Sequence, residues 1–295
     1  MKIIFEIYYH TRWGESLFLS GDIDELGANE ENRAVMMDYQ GDGLWKYTME
    51  LPASAKKFHY EYLVKSGEGI RREWGSPHSF SPGRNAWEYR LVDRWRDVPA
   101  DLPFYSSAFI QGIFFRQHAA SVVETIDPGT LTVKVDASQL RPDERLVMVG
   151  DCPELGDWDV LKAPLLNDSA FPEWQITLDG RQLKFPFEYK FVIVRTHQRE
   201  VVAWETGENR ICREKPQNPS EAVVVSGLRF NGSESQWRGA GTAIPVFSLR
   251  TDYGFGVYRF EIFGRVGVKN RAVVYTVTPG ERYDDVGYMA RLLSL

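Results

Sequence analysis

Three short strings in the second half of the chain combine residue types that can grip a ligand: Leu155-Gly156-Asp157-Trp158, Tyr189-Lys190-Phe191 and Trp204-Glu205-Thr206-Gly207-Glu208-Asn209-Arg210. An indole offers a wide apolar face, while the ammonium of Lys190, the carboxylate of Glu205 and the amide of Asn209 offer hydrogen bonds around it. That set suits reversible binding of a ligand with an apolar face and a polar rim, and it contains no nucleophile paired with a base. A tryptophan in an alternating apolar strand is ordinarily core, and Trp45 and Trp174 fit that description. Trp158 and Trp204 stand among polar residues, which favours faces open to solvent. Cys152 and Cys212 lack metal-type spacing and are expected to be reduced thiols, so no metal and no cofactor is expected. Asp284-Asp285 and Glu281 match no catalytic pattern, and no catalytic residue is assigned.

The elements that must position these residues come in two copies. Leu17-Phe18-Leu19-Ser20-Gly21-Asp22 with Glu25-Leu26-Gly27 returns 129 residues later as Leu146-Val147-Met148-Val149-Gly150-Asp151 with Glu154-Leu155-Gly156. The same offset relates Trp45 to Trp174 and Tyr60-Glu61-Tyr62 to Tyr189-Lys190-Phe191, and an offset of 130 relates Trp74 to Trp204. Each copy reads as short alternating apolar runs broken by turn residues, such as LTVKV (131–135) and WQITL (174–178), which is strand periodicity. The expected architecture is all-β: two tandem immunoglobulin-like antiparallel β-sandwiches. The boundaries predicted are a first module at 1–97, a Pro-containing linker at 98–118, a second module at 119–226 and a Gly/Ser-rich linker at 227–240.

Composition removes several classes of function. With 35 basic against 41 acidic residues the net charge is −6, which gives no positive excess for a polyphosphate, so nucleic acid is not an expected partner. The start, MKIIFEIYYHTRWGE, lacks the apolar stretch of a signal peptide and no segment runs 18 apolar residues; a cytoplasmic protein with no membrane partner is expected. Aromatic residues make up 14% of the chain, and large planar side chains left on a surface mark a binding face.

Together, the LGDW, YKF and WETGENR strings resemble the starch-binding domain of carbohydrate-binding family 20 (CBM20), which opens with G-x-x-x-x-L-G-x-W and closes with W-E-x-G-x-N-R. The resemblance implies a module that binds α-1,4-glucan (starch, glycogen, maltodextrin, cyclodextrin), with its principal site at Trp158, Lys190, Trp204, Glu205 and Asn209. A pyranose ring fits the physical description, since its C–H face can dock on an indole while its hydroxyls pair with amide, carboxylate and ammonium groups. The first copy departs from the pattern: Asn29 replaces the first Trp, Glu61 replaces Lys, and Trp74 is followed by Gly75. Only Trp74 survives there as a weak site, so this copy is either a spacer or binds through other aromatics such as Trp13, Tyr8 or Tyr9.

Residues 241–257, containing Gly241-Thr242-Ala243-Ile244-Pro245-Val246-Phe247-Ser248-Leu249-Arg250-Thr251 and Gly254-Phe255-Gly256-Val257, resemble the opening of the catalytic barrel of glycoside hydrolase family 77, the 4-α-glucanotransferases. Only 55 residues follow Ala240, against about 200–250 for a (β/α)8 barrel. The expectation is therefore a short C-terminal barrel remnant that cannot close, in a chain that binds glucan without transferring it. Past Val257 the resemblance ends. A shifted reading frame across Val273 to Asp285 back-translates to WFIQLHPVNDTTM, so 258–295 is expected to be an out-of-frame or disordered tail. The alternatives are a stand-alone glucan-binding scaffold module and an immunoglobulin-like protein-interaction module.

Overall fold

The computed structural model describes residues 1–52, 54–83, 85–97, 126–138 and 140–232, together with three short strands, β18 (Val246–Ser248), β19 (Arg259–Phe263) and β20 (Arg271–Tyr275). The chain divides into two compact units, and these three strands belong to the smaller one. They pair as an antiparallel sheet in the order β18-β19-β20. Within the expected 241–257 barrel opening only β18 is described, and β19 and β20 fall in the expected tail. The 98–118 linker lies outside the described residues.

In the larger unit the repeat holds strand for strand except at β3, whose counterpart in the second copy is the isolated bridge of Val147 to Leu165. The first copy supplies β1 (Lys2–Tyr8), β2 (Ser16–Gly21), β3 (Val35–Met36), β4 (Asp38–Gly41), β5 (Leu44–Glu50), β6 (Phe58–Ser66), β7 (Gly69–Arg72), β8 (His78–Phe80) and β9 (Glu88–Arg94). The second supplies β10 (Thr130–Asp136), β11 (Glu144–Gly150), β12 (Asn167–Ala170), β13 (Glu173–Asp179), β14 (Phe187–Arg195), β15 (Val201–Trp204), β16 (Arg210–Cys212) and β17 (Glu221–Arg229). Among the described residues, helix is confined to single 3₁₀ turns such as Asp24–Leu26 and Pro153–Leu155. None of them is long and apolar enough to cross a membrane.

Each copy packs one sheet on another. In the first, Ile3, Phe5 and Ile7 of β1 and Trp45 and Met49 of β5 meet Leu17 and Leu19 of β2 and Tyr60, Tyr62 and Val64 of β6. In the second, Leu131, Val133 and Val135 of β10 and Trp174 and Ile176 of β13 meet Leu146 and Met148 of β11 and Tyr189, Phe191 and Ile193 of β14. The alternation of each strand sorts these residues inward, as its period of two requires. Trp45 and Trp174 are both core. Their indole N–H groups donate to matching backbone carbonyls, of Tyr9 at 3.0 Å and Ala137 at 2.9 Å, which satisfies the one polar atom each buries.

The sheets are not purely antiparallel. β1 runs parallel to β9, β10 runs parallel to β17, and β9 and β17 run parallel to each other. The last pairing joins the copies into one eight-stranded sheet, β12-β13-β10-β17-β9-β1-β5-β4. At the join, Ala222, Val224, Tyr89 and Leu91 face the core of the first copy, while Val223, Val225 and Val92 face that of the second. The two cores therefore lie on opposite faces of the shared sheet. β9 and β17 are buried on both sides; β17 carries the continuous apolar run AVVV expected of a parallel interior strand, whereas β9 (EYRLVDR) buries charged residues among its apolar ones.

Polar side chains lock this junction. Asp93, fully buried on β9, accepts from Tyr60 Oη at 2.9 Å, Tyr62 Oη at 2.6 Å and Ser226 Oγ of β17 at 2.5 Å. Burial, reinforced by the Asp93 charge, pushes both phenols well above their usual range. Arg90 of β9 donates to Glu221 at 3.0 Å and to the Lys215 carbonyl at 2.6 Å. Gly227 is required here: it holds φ of 79°, and a Cβ on it would come within 2.4 Å of the Arg94 carbonyl oxygen.

Candidate functional site

The sheet of β11, β14, β15 and β16 has an inner face in the core and an outer face with its own composition. Val147 and Val149 of β11 pair with Val192 and Lys190 of β14, and Val192 in turn pairs with Trp204 of β15. Paired residues share a face, so Lys190 and Trp204 both stand on the outer side. Val147, Val149, Val192 and Val194 form a small apolar cluster there with Val160 and Ala163, and Trp158 packs against it. The structure thus brings Trp158, Lys190 and Trp204 to one face.

Trp158 is delivered by the turn after β11. The 3₁₀ turn Pro153–Leu155 ends at Gly156, and Gly156, Asp157 and Trp158 follow at φ of 82°, 50° and 65°, three left-handed residues in succession. Gly156 has no room for a side chain, since a Cβ would meet the Asp159 carbonyl oxygen at 2.7 Å. A bulky residue such as Trp158 in this region is strained, and strain of this kind concentrates at binding sites. The turn is closed by the Trp158 N–H donating to the Gly150 carbonyl at 2.7 Å. Arg199, in the β14–β15 hairpin, donates to the carbonyls of Leu161 and Ala163, both at 2.8 Å, and so holds the residues after Trp158 against the sheet.

Trp204 is aimed by a β-bulge. Ile193 pairs with Ala203 but Val194 pairs with Val201, leaving Val202 as the extra residue. Val202 and Ala203 pack inward on the core, whereas Val201 and Trp204 are exposed, Trp204 by 43%. Lys190 donates to the carbonyls of Gly207 at 2.5 Å and Glu205 at 3.2 Å. An ammonium has three N–H donors, so one is left for a ligand. Asn209 is exposed and donates to Glu188 Oε2 at 2.8 Å, which places its amide along the edge that carries Lys190.

Glu205 corrects the expected set. Its carboxylate is buried at 4% exposure and turned inward: Arg210 donates to it through Nε at 3.0 Å and Nη2 at 2.6 Å. The N–H groups of Phe191 at 3.3 Å and Asn231 at 3.2 Å complete its shell. This side chain is fully engaged in the fold and offers a ligand nothing; Glu205 contributes to the face only by the carbonyl that steadies Lys190. Asn231 also accepts from Thr206 N–H at 2.8 Å, pinning the loop that follows Trp204.

Trp74 is corrected as well. In the first copy Leu63, the counterpart of Val192, pairs with Arg72, so Arg72 occupies the position of Trp204. The next residue, Glu73, repeats Glu205: it is buried, accepts from Tyr62 N–H at 3.1 Å, and pairs with His78, the counterpart of Arg210, at 3.0 Å and with Arg96 at 3.0 Å. Burial raises the Glu73 pKa, but His78 and Arg96 outweigh it and hold the carboxyl at about 2. Trp74 therefore lies two residues beyond the matched position, and the Arg229 guanidinium covers its ring at 5.2 Å. Of the other aromatics considered for this copy, Trp13 is fully exposed, Tyr8 is 47% exposed, and Tyr9 packs on Trp95 with ring centres 4.6 Å apart.

Arg72, Arg199 and Asn231 escape a reading of the sequence alone. The signal for Arg72 is the Arg-Glu pair ahead of Trp74, which repeats the order of Trp204-Glu205. Cys152 and Cys212 are buried free thiols, and among the described residues no group of three or more His, Cys, Asp or Glu is placed to hold a metal.

The family model described as "Starch binding domain" matches residues 1–87 and 130–223, once in each copy. A 4-alpha-glucanotransferase, DPE2 of Oryza sativa subsp. japonica, is 29% identical over 286 residues, covering 88% of this chain and 29% of the relative. An AA13 family lytic polysaccharide monooxygenase A of Aspergillus terreus is 32% identical over 73 residues, 23% of this chain and 18% of the relative. The chain spans less than a third of the length of either curated relative. Among solved structures, the family 20 carbohydrate-binding module of a maltotetraose-forming amylase from Pseudomonas saccharophila STB07 is 20% identical, with a TM-score of 0.28 over 33% of this chain and 99% of that one.

Proposed function

The chain belongs to the starch-binding domain family, and on that premise we propose that it binds α-1,4-glucan on the outer face of its second copy, as the N-terminal part of a 4-α-glucanotransferase. Starch, glycogen, maltodextrin and cyclodextrin are the glucans of this reading, and the cytoplasm is its compartment. The observation that carries it is the shared face: Trp204 is 43% exposed on the side where Trp158 packs and where Lys190 stands. Two indoles stack on successive pyranose faces, the free donor of Lys190 meets a hydroxyl, and the Asn209 amide adds a donor and an acceptor at the rim. By analogy with bases on aromatic side chains, each stack contributes about 1–3 kcal/mol. The resulting affinity is modest and suits repeated engagement of a polymer.

Two immunoglobulin-like sandwiches and a barrel remnant complete the reading. The first is supported by the two sheet-on-sheet cores, the second by the resemblance of 241–257 alone. Remote glucan held on this face presents chain ends to a catalytic domain, where binding energy from non-reacting sugar assists the transfer. Calorimetric titration of the full chain with β-cyclodextrin tests the site. Saturable binding that Trp204→Ala weakens about tenfold is expected; equal affinity in the two proteins would overturn the assignment.

A further inference from the structure

The outer face of the first copy has the same backbone as the glucan face and different chemistry. Phe18, Ser20, Glu61, Leu63 and Lys65 stand where Val147, Val149, Lys190, Val192 and Val194 stand in the second copy, and the pairings match position by position. The Asn29 turn copies the Trp158 turn: Gly27, Ala28 and Asn29 hold φ of 88°, 51° and 64°, and Asn29 N–H donates to the Gly21 carbonyl at 2.7 Å. On this scaffold Arg72 takes the place of Trp204 and lies across the face, donating through one terminal nitrogen to Glu61 and through the other to Glu31. Lys65 reaches the carbonyl of Glu31 and sits 4.4 Å above the Phe18 ring, while Met36 and Ile70, paired with Phe18 and Lys65, stay exposed beside it.

We propose that the Glu31–Arg72–Glu61 bridge closes the first copy to sugar at this face, so that the chain has one glucan face of the Trp158/Trp204 type and the first copy is its fixed support. The inference rests on the glucan reading of the second copy. The bridge works in two ways. It removes both partners that a pyranose needs, since an indole plane becomes a guanidinium already paired at both ends and the ammonium becomes a carboxylate already accepting from it. It also places charged, hydrated groups where stacking requires a dry apolar surface.

The test uses the full chain and β-cyclodextrin, read by calorimetry, with thermal melting to establish that each variant is folded. Absence of binding in the wild-type chain overturns the glucan reading itself; the variants, made in a chain whose wild type binds, address the bridge alone. In the Trp158→Ala/Trp204→Ala background, adding Arg72→Ala and Glu61→Ala is expected to leave any residual binding unchanged; a severalfold loss would show that the bridged face binds and overturn the proposal. In the same background, Asn29→Trp, Glu61→Lys and Arg72→Trp together are expected to raise affinity at least fivefold. A folded variant with no gain assigns the closure to something other than the bridge and also overturns it.

Discussion

In the first copy two residues, Gly67 and Glu68, join β6 to β7, and the strands then pair without interruption. In the second copy four residues, 196–199, lie between Arg195 and Glu200, whose backbone hydrogen bond closes the β14–β15 hairpin, and a bulge follows. The two extra hairpin residues and the one extra bulge residue raise the offset between the copies from 129 to 132, the offset that relates Arg72 to Trp204. Those three residues build much of the site. The longer hairpin supplies Arg199, which holds the Trp158 turn, and the bulge lets Val202 and Ala203 point inward while Trp204 points out. A shared backbone thus hosts an open face or a bridged one according to a local insertion and three side chains.

The largest effect expected from testing this comparison is on stability. Glu205→Ala strands the buried Arg210 charge and is expected to lower unfolding free energy by about 3–5 kcal/mol, with Glu73→Ala doing the same to Arg96; urea unfolding measures both. A Glu205→Ala protein of normal stability but without glucan affinity would break the inward assignment. Next, Trp204→Ala is expected to weaken maltodextrin binding about tenfold or more without moving the melting temperature, whereas Arg72→Ala at the matched position leaves binding unchanged. Affinity electrophoresis in amylopectin reads the contrast directly.

A smaller, pH-dependent pair of effects sharpens the comparison at the junction. Glu73 is held at about 2, below its unfolded value of 4.5, so its contribution is complete above 4.5 and lost as pH falls toward 2. Asp136 has the opposite sign. Burial first, and the Glu173 charge second, raise it to about 6 from 3.8, so its folded state is favoured below 3.8 and that advantage is lost as pH rises through 6. Asp136→Asn is expected to raise the melting temperature at pH 8 by a few degrees and to leave it unchanged at pH 3.5; equal shifts at both values would reject the titration. Smallest is Arg199→Ala, expected to weaken glucan binding severalfold by loosening the Trp158 turn. Arg199→Lys, with a point charge in place of a fork, restores only part of that loss.

The sequence made the repeat legible because the turn geometry that recurs is carried by Gly, Asp and Leu at fixed spacing. Both Asp22 and Asp151 accept from the opposing backbone N–H, at 2.8 and 2.9 Å. It made the strands and the core tryptophans legible through alternation. Matching tryptophan to tryptophan failed at Trp74, because an insertion of three residues in a hairpin and a bulge leaves no mark on the apolar pattern. Glu205 departs from expectation for a different reason: its polar neighbours suggest solvent, and nothing local shows that Arg210, five residues on, meets it inside. The parallel join of β9 and β17 departs from the antiparallel expectation, and the AVVV run within β17 is the mark in the sequence of a strand covered on both sides.

That join has a practical consequence. Cutting the chain between the copies leaves each half with a strand unpaired along one border, and in the second half that strand is apolar on both sides, the template on which polypeptides stack into insoluble aggregates. Assays on excised halves will therefore report clumping as well as sugar affinity, and the tandem has to be expressed and titrated as a single piece.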